Sequence, residues 1–147
     1  MTSINLGCGS TTLDGRVNVD CIAGRGIDLI FDLAQIPERR LPIPENSVDR
    51  ILMSHVLEHL PNPLALMEEL WRIAKHGAEI MIRVPHGGND DAWLDPTHVR
   101  AYFPRSFNYF SQPKYYNFDY GYRADWKCDL IVICSPYFEQ YKSDIRS

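Results

Sequence analysis

The chain has 147 residues, 45% of them hydrophobic and 23% charged, which suits one soluble globular domain, 1–147, built around one core. A net charge of −4 and a pI near 5.7 argue against a sequence-blind nucleic-acid binder, which needs a basic face. The sequence lacks any long apolar run, and MTSINLGCG lacks a basic region followed by an apolar stretch, so neither a membrane span nor a signal peptide is expected. The four cysteines, 8, 21, 128 and 134, form no C-x-x-C pair, and the expectation is reduced thiols in a cytoplasmic protein.

In chain order, Ser3–Leu6 reads as a brief strand ending at Gly7. Arg16–Asp20 and Ile27–Phe31 follow as short alternating strands. Val48–Met53, after the loop PIPENS, reads as a strand entering the core, and Ala78–Val84 as another, stopped by Pro85. Between these two lies the clearest helix. Asn62 is its N-cap and Pro63 its first residue. Leu64, Met67, Leu70, Trp71 and Ile73–Ala74 form an apolar stripe opposite Glu68, Glu69, Arg72 and Lys75, and Gly77 ends the helix. Strand, helix, strand implies a parallel pair with a right-handed crossover, so the class is α/β, with ligands beyond the carboxyl ends of the strands. After Pro85, HGGNDDAWLDPTH reads as a polar loop and Pro104–Phe110 as a short helix. Tyr115–Arg123 and a last strand, Trp126–Cys134, form an expected antiparallel hairpin.

The run HVLEH, residues 55–59, matches the H-x-x-E-H pattern of one zinc peptidase class. Gripping one ion with that pair requires a helix, and Pro61 and Pro63 leave room for one or two turns at most. The expectation is no metal at His55 and His59. Val56 and Leu57 pack, Glu58 and His59 are solvated, and His55 faces a cleft.

INLGCGS carries the sharper signal. Glycines at a strand's carboxyl end let the backbone turn tightly and approach a ligand. Asp20 ends the next strand, where a carboxylate can accept from a ribose diol, and Asp32 follows the third, within reach of an adenine amino group. A dinucleotide fingerprint would require a third glycine and a full following helix, and neither is present.

INLGCGS, NVD, FDLA, LPIPENSVDRI, MSHVLEHL and ELWRIAKHGAEIMIRVP stand in the order found in the class I S-adenosylmethionine-dependent methyltransferases. Over about residues 3–85 the chain resembles that family, most closely its small bacterial type-11-like group. The resemblance implies a Rossmann-like, mostly parallel sheet. It implies that Gly7, Cys8 and Gly9 line the methionine moiety of S-adenosylmethionine, that Asp20 holds the ribose, and that Asp32 and Leu33 hold the adenine. Ser54 and His55 would close the site.

The connections STTLDGR and CIAGRG are short for parallel crossovers, so the fold is expected in trimmed form, with helices missing on one face. On that face Asn5 and Asn18 are expected to meet water, a subunit partner or the C-terminal aromatic segment. A homodimer through it is compatible with the sequence.

Methyl transfer to a hydroxyl or a protonated amine benefits from a general base. Candidates past the fifth strand are His86, Asp90, Asp91, Asp95 and His98. The stretch DPTHVRAYF is similar to a segment near the substrate in related methyltransferases, which singles out His98, with Asp95, as the base. Tyr102, Phe103, Tyr109 and Phe110 could wall a pocket or fill the core. The expected function is methyl transfer to a small-molecule acceptor. The alternative is a cofactor-binding or structural protein of the same fold without catalysis.

Overall fold

The computed structural model describes residues 1–112 and 119–133. Its centre is a five-stranded, wholly parallel sheet of order β3-β2-β1-β4-β5. The strands are β1 (Ser3–Leu6), β2 (Val17–Asp20), β3 (Leu29–Ile30), β4 (Val48–Ser54) and β5 (Ala74–Arg83), with helices α1 (Pro63–Ile73) and α2 (Asp91–Leu94). The order steps outward from β1 to β3, then restarts beside β1 with β4. The crevice between the carboxyl ends of β1 and β4 is therefore the topological switch point, where open α/β sheets bind ligands.

The core lies on one face. Ile4, Leu6, Val19, Ile51 and Met53 project from the sheet against Leu66, Met67, Leu70 and Ile73 of α1. The expected stripe on α1 is rotated in part. Leu66 joins the buried face, while Trp71 stays 46% exposed and stacks edge-on against Trp126. Asn62 accepts from the Ala65 N–H and Pro63 begins the helix, as expected. The helix ends at Ile73, earlier than Gly77. Chain pairing with β4 resumes there at Ala74, and Lys75–Ala78 bulge out of register before Glu79 pairs with Arg50. Gly77, with φ of 77°, turns that bulge rather than capping the helix.

Glu69, expected on the solvent face, is 6% exposed. It accepts from the Leu41 N–H and from the Arg72 guanidinium, which in turn donates to the carbonyls of Leu41 and Ile43. This pair ties the loop before β4 to α1. The carboxylate beside it raises the Arg72 pKa against the opposing effect of burial.

The other face follows a different design. Residues 7–16 and 21–28 contain no helix. Asn5 and Asn18 are nonetheless 3% and 5% exposed, so they face neither water nor a partner. The loop after β1 folds over them. Asn5 donates to the Thr11 carbonyl and to the Asn18 side chain. Asn18 accepts from the Leu13 N–H and donates to the carbonyls of Leu13 and Arg16. An irregular loop leaves backbone polar groups that a buried apolar strand could not satisfy, and two asparagine amides satisfy them here. Farther along the same face, beside β4 and β5, Met81 is exposed and Arg50 pairs with Glu79.

Residues 126–133 form no strand. Trp126 donates its indole N–H to the Met67 carbonyl and Arg123 its N–H to Glu68, so residues 122–126 pack along α1. Tyr122, Ala124 and Trp126 join the core in consequence. The rest of the expected hairpin, 115–118 and Cys134, lies outside the described residues. Of the four aromatics offered as a wall, Tyr102 and Phe110 are core and Phe103 and Tyr109 are exposed.

Candidate functional site

The strands run parallel, so their carboxyl ends bring Gly7–Gly9, Asp20, Asp32 and Ser54–His55 to one edge of the sheet. At Gly7, φ is +59°, and an added Cβ would collide with the Val56 side chain. The turn therefore needs glycine both for its left-handed backbone and for its approach to the segment after β4. Gly9 also has a positive φ, of 51°, but nothing among the described residues lies within 4 Å of where its Cβ would stand, so its backbone is bare on that side. The Cys8 side chain is buried, and burial followed by the nearby Asp20 charge raises its thiol pKa.

Asp20 accepts from the N–H groups of Gly9 at 2.8 Å and Ile22 at 3.0 Å, with the Cys21 thiol at 3.7 Å. Burial opposes its ionisation, but these bonds outweigh it and hold the carboxyl below its usual range. The carboxylate thus fixes the glycine loop and, having acceptor sites for about four bonds, keeps capacity for more. Asp32 is exposed and caps the 3-10 turn Leu33–Gln35 by accepting from the Ala34 N–H. Leu33 turns its side chain into the core, so only its backbone edge can meet a ligand.

Ser54 closes β4 opposite Arg83. His55 follows with φ of +57°, an uncommon conformation for a non-glycine residue, and its side chain is 64% exposed. HVLEH does not form the helix that the peptidase pattern needs. Leu57–His59 is a single 3-10 turn, so His55 and His59 share no helical face. Val56 and Leu57 are buried as expected. Glu58 is not solvated but 1% exposed, and His59 is partly buried.

The segment after β5 folds back onto this turn. The Val99 N–H donates to the Glu58 carbonyl, and the Tyr102 hydroxyl to that of Leu57. Burial, above all, pushes the Tyr102 hydroxyl up to about 12, so it remains a donor. His98 is thereby brought edge-on to His59, with ring centroids 4.7 Å apart. Asp95 lies 3.8 Å from His98 Nε2. Its carboxyl is held low first by the Thr97 hydroxyl and then by the Thr97 N–H. Asp90 and Asp91 stand exposed at the start of α2. His86 accepts from the Gly88 N–H on Nδ1. The pairing of Glu58, His59 and His98 escaped the sequence reading because it depends on where the loop after β5 returns. Two shallow depressions of 190 and 430 Å³ lie at the opposite ends of the strands, around Asp49–Arg50 and Thr2–Ser3, and touch none of these groups.

Residues 16–82, just under half the chain, match a family model described as a methyltransferase domain. No curated protein matches the sequence. Among solved structures, a SAM-dependent methyltransferase from Archaeoglobus fulgidus is similar, with 16% identity and a TM-score of 0.60, covering 99% of this chain and 77% of that one. The trans-methyltransferase CalH, solved with SAH, has 12% identity and a TM-score of 0.51 over 66% of this chain and 36% of that one. The [4+2]-cyclase SpnF has 16% identity and a TM-score of 0.51, covering 74% of this chain and 48% of that one. The chain thus spans less than half the length of the last two. Residues 16–82 thus match a methyltransferase-domain model, and the fold is similar to that of a solved SAM-dependent methyltransferase.

Proposed function

We propose that the protein binds S-adenosylmethionine along the carboxyl edge of the sheet and transfers its methyl group to a small-molecule acceptor. The observation that carries this reading is the joint placement of a bare glycine turn and an ionised carboxylate. Gly9 leaves its Cβ position open, and Asp20 ties that turn to the end of β2. In this reading Gly7, Cys8 and Gly9 border the methionine moiety and Asp20 accepts from the ribose hydroxyls. Asp32 and the backbone edge of Leu33 meet the adenine, and Ser54 and His55 close the crevice. The cofactor supplies an electrophilic methyl on a sulfonium.

The chain's own contribution is to fix donor and acceptor in line, which can account for much of the acceleration. His98, with Asp95, is the proposed base. His98 Nδ1 lies 3.2 Å from the Ala92 carbonyl, which can only accept, so that nitrogen carries a proton and Nε2 is the atom that holds the lone pair when the ring is neutral. Nε2 can then take a proton from an acceptor hydroxyl, and Asp95 stabilises the resulting charge.

Calorimetry with S-adenosylmethionine and its demethylated product tests the binding step. Asp20→Ala removes the acceptor of the Gly9 N–H and, in this reading, of the ribose. We expect affinity to fall by about 1–3 kcal/mol. Unchanged affinity in that variant would remove Asp20 from the site. Transfer of labelled methyl from the cofactor into a metabolite extract tests catalysis, and binding without transfer would favour the non-catalytic alternative.

A further inference from the structure

We propose that Glu58, His59 and His98 form a binding site for a divalent transition-metal ion of the zinc type. One ligand atom from each residue lies within 4.8 Å of the others. This is not the H-x-x-E-H site that the sequence hints at. His55 is replaced by His98, delivered from the loop after β5.

Two independent observations point to a cation. The first is Glu58. Its side chain is buried, yet among the described residues neither carboxylate oxygen has a hydrogen-bond partner. His55 Nδ1 stands 3.3 Å from Oε1, but without hydrogen-bond geometry and from a mostly exposed ring. A carboxylate in such surroundings is costly unless a cation or donors compensate it.

The second is the state of the two imidazoles. Thr97 has one hydroxyl proton, which goes to Asp95 Oδ1 at 2.6 Å. Its oxygen, 3.0 Å from His59 Nδ1, must therefore accept from that nitrogen. The Ala92 carbonyl fixes the proton of His98 on Nδ1 in the same way. Nδ1–H of each ring is thus anchored to an oxygen, which leaves Nε2 of each as the nitrogen that can face an ion. This is the arrangement by which outer partners orient metal-binding histidines. Asp95 does double service, holding Thr97 and standing 3.8 Å from His98 Nε2.

Two imidazole nitrogens and one carboxylate suit zinc and its neighbours in the first transition row, and do not suit calcium or magnesium. Ligands of an ion at 2.0–2.2 Å sit roughly 3–4 Å apart, so the three groups need to close by about 1 Å. Three protein ligands leave a coordination position for an oxygen. A metal-bound Nε2 cannot also accept a proton, so in the loaded protein His98 is a ligand and not a base. The site does not depend on methyl transfer, and its test does not measure it.

The full chain, stripped with a chelator, is titrated with zinc by calorimetry and with cobalt by visible absorption. We expect one ion per chain, and cobalt bands of a low-coordinate nitrogen–oxygen site. Glu58→Gln and His98→Ala should each weaken zinc binding by more than about 100-fold, and Thr97→Val by about 10–100-fold through loss of the His59 anchor. His55→Ala should leave the affinity unchanged. Circular dichroism establishes that each variant is folded, and the wild-type cobalt spectrum reports the site without any substitution. Absence of stoichiometric binding to wild type, or binding that survives Glu58→Gln and His98→Ala but is lost in His55→Ala, overturns the proposal.

Discussion

Gly7 shows how much one position can specify. The residue turns β1 into the site, and its missing side chain admits Val56 from the segment after β4. The loop thereby fixes both its own left-handed backbone and the packing of the neighbouring turn. Gly7→Ala meets two penalties, a left-handed backbone and a collision with Val56, together about 2–4 kcal/mol. Adding Val56→Ala removes the collision but not the backbone strain. Urea denaturation should therefore show the Gly7→Ala, Val56→Ala double variant more stable than the sum of the singles. Strict additivity would mean that the two residues do not touch. The strand-end glycines and Asp20 were legible in the sequence because strand and turn chemistry is local. The burial of Glu58 was not, because it depends on a cover from residues 99–102.

At the level of elements, α1 owes its position to more than its apolar stripe. Glu69 and Arg72 clamp the loop before β4 and satisfy the Leu41 N–H. Removing one partner of a buried, hydrogen-bonded pair strands the other charge. Glu69→Ala should cost about 2–4 kcal/mol in urea denaturation, after allowance for the partial exposure of Arg72. Glu69→Gln keeps an acceptor for the Leu41 N–H and should cost less. Equal losses would mean that the backbone bond contributes nothing. The helix period correctly located α1, yet it placed Glu69 on the solvent side. Periodicity reports the average polarity of a face and is blind to a loop that comes to cover its edge.

At the scale of the whole molecule, four carboxylates among the described residues are held low, and acid stability follows from them. Asp20 is lowered by N–H donors that outweigh burial, and Asp49 by the Thr2 N–H and then Lys75. Asp95 is lowered by Thr97, and Asp119 by Arg123 and then the Gly121 N–H. In each case the folded chain holds its proton less tightly than the unfolded chain. The stabilisation is complete above the unfolded carboxylate value near 4, and is lost as pH falls through the lower folded values. The urea midpoint should hold steady from about pH 6 to 5 and fall steeply below about 4. A midpoint that stays level down to about pH 2 would show that these bonds add nothing.

By itself the sequence determined the α/β class, the main strand positions apart from the start of β5, the Asn62–Pro63 helix start and the line of glycine and carboxylates at the strand ends. All of these rest on near neighbours in the chain: alternation, caps and turns. The tertiary structure decided what covers what. Asn5 and Asn18 alternate as a solvent-facing row would, yet they are buried because the loop after β1 needs their amides for its backbone. Trp126 looks like part of a strand, yet it packs along α1 because its indole finds the Met67 carbonyl there. His98 stands almost forty positions from His59 in the chain, and only the return of the loop after β5 sets their rings together. Such pairings depend on closing long loops, and short-range pattern carries no record of where a long loop closes.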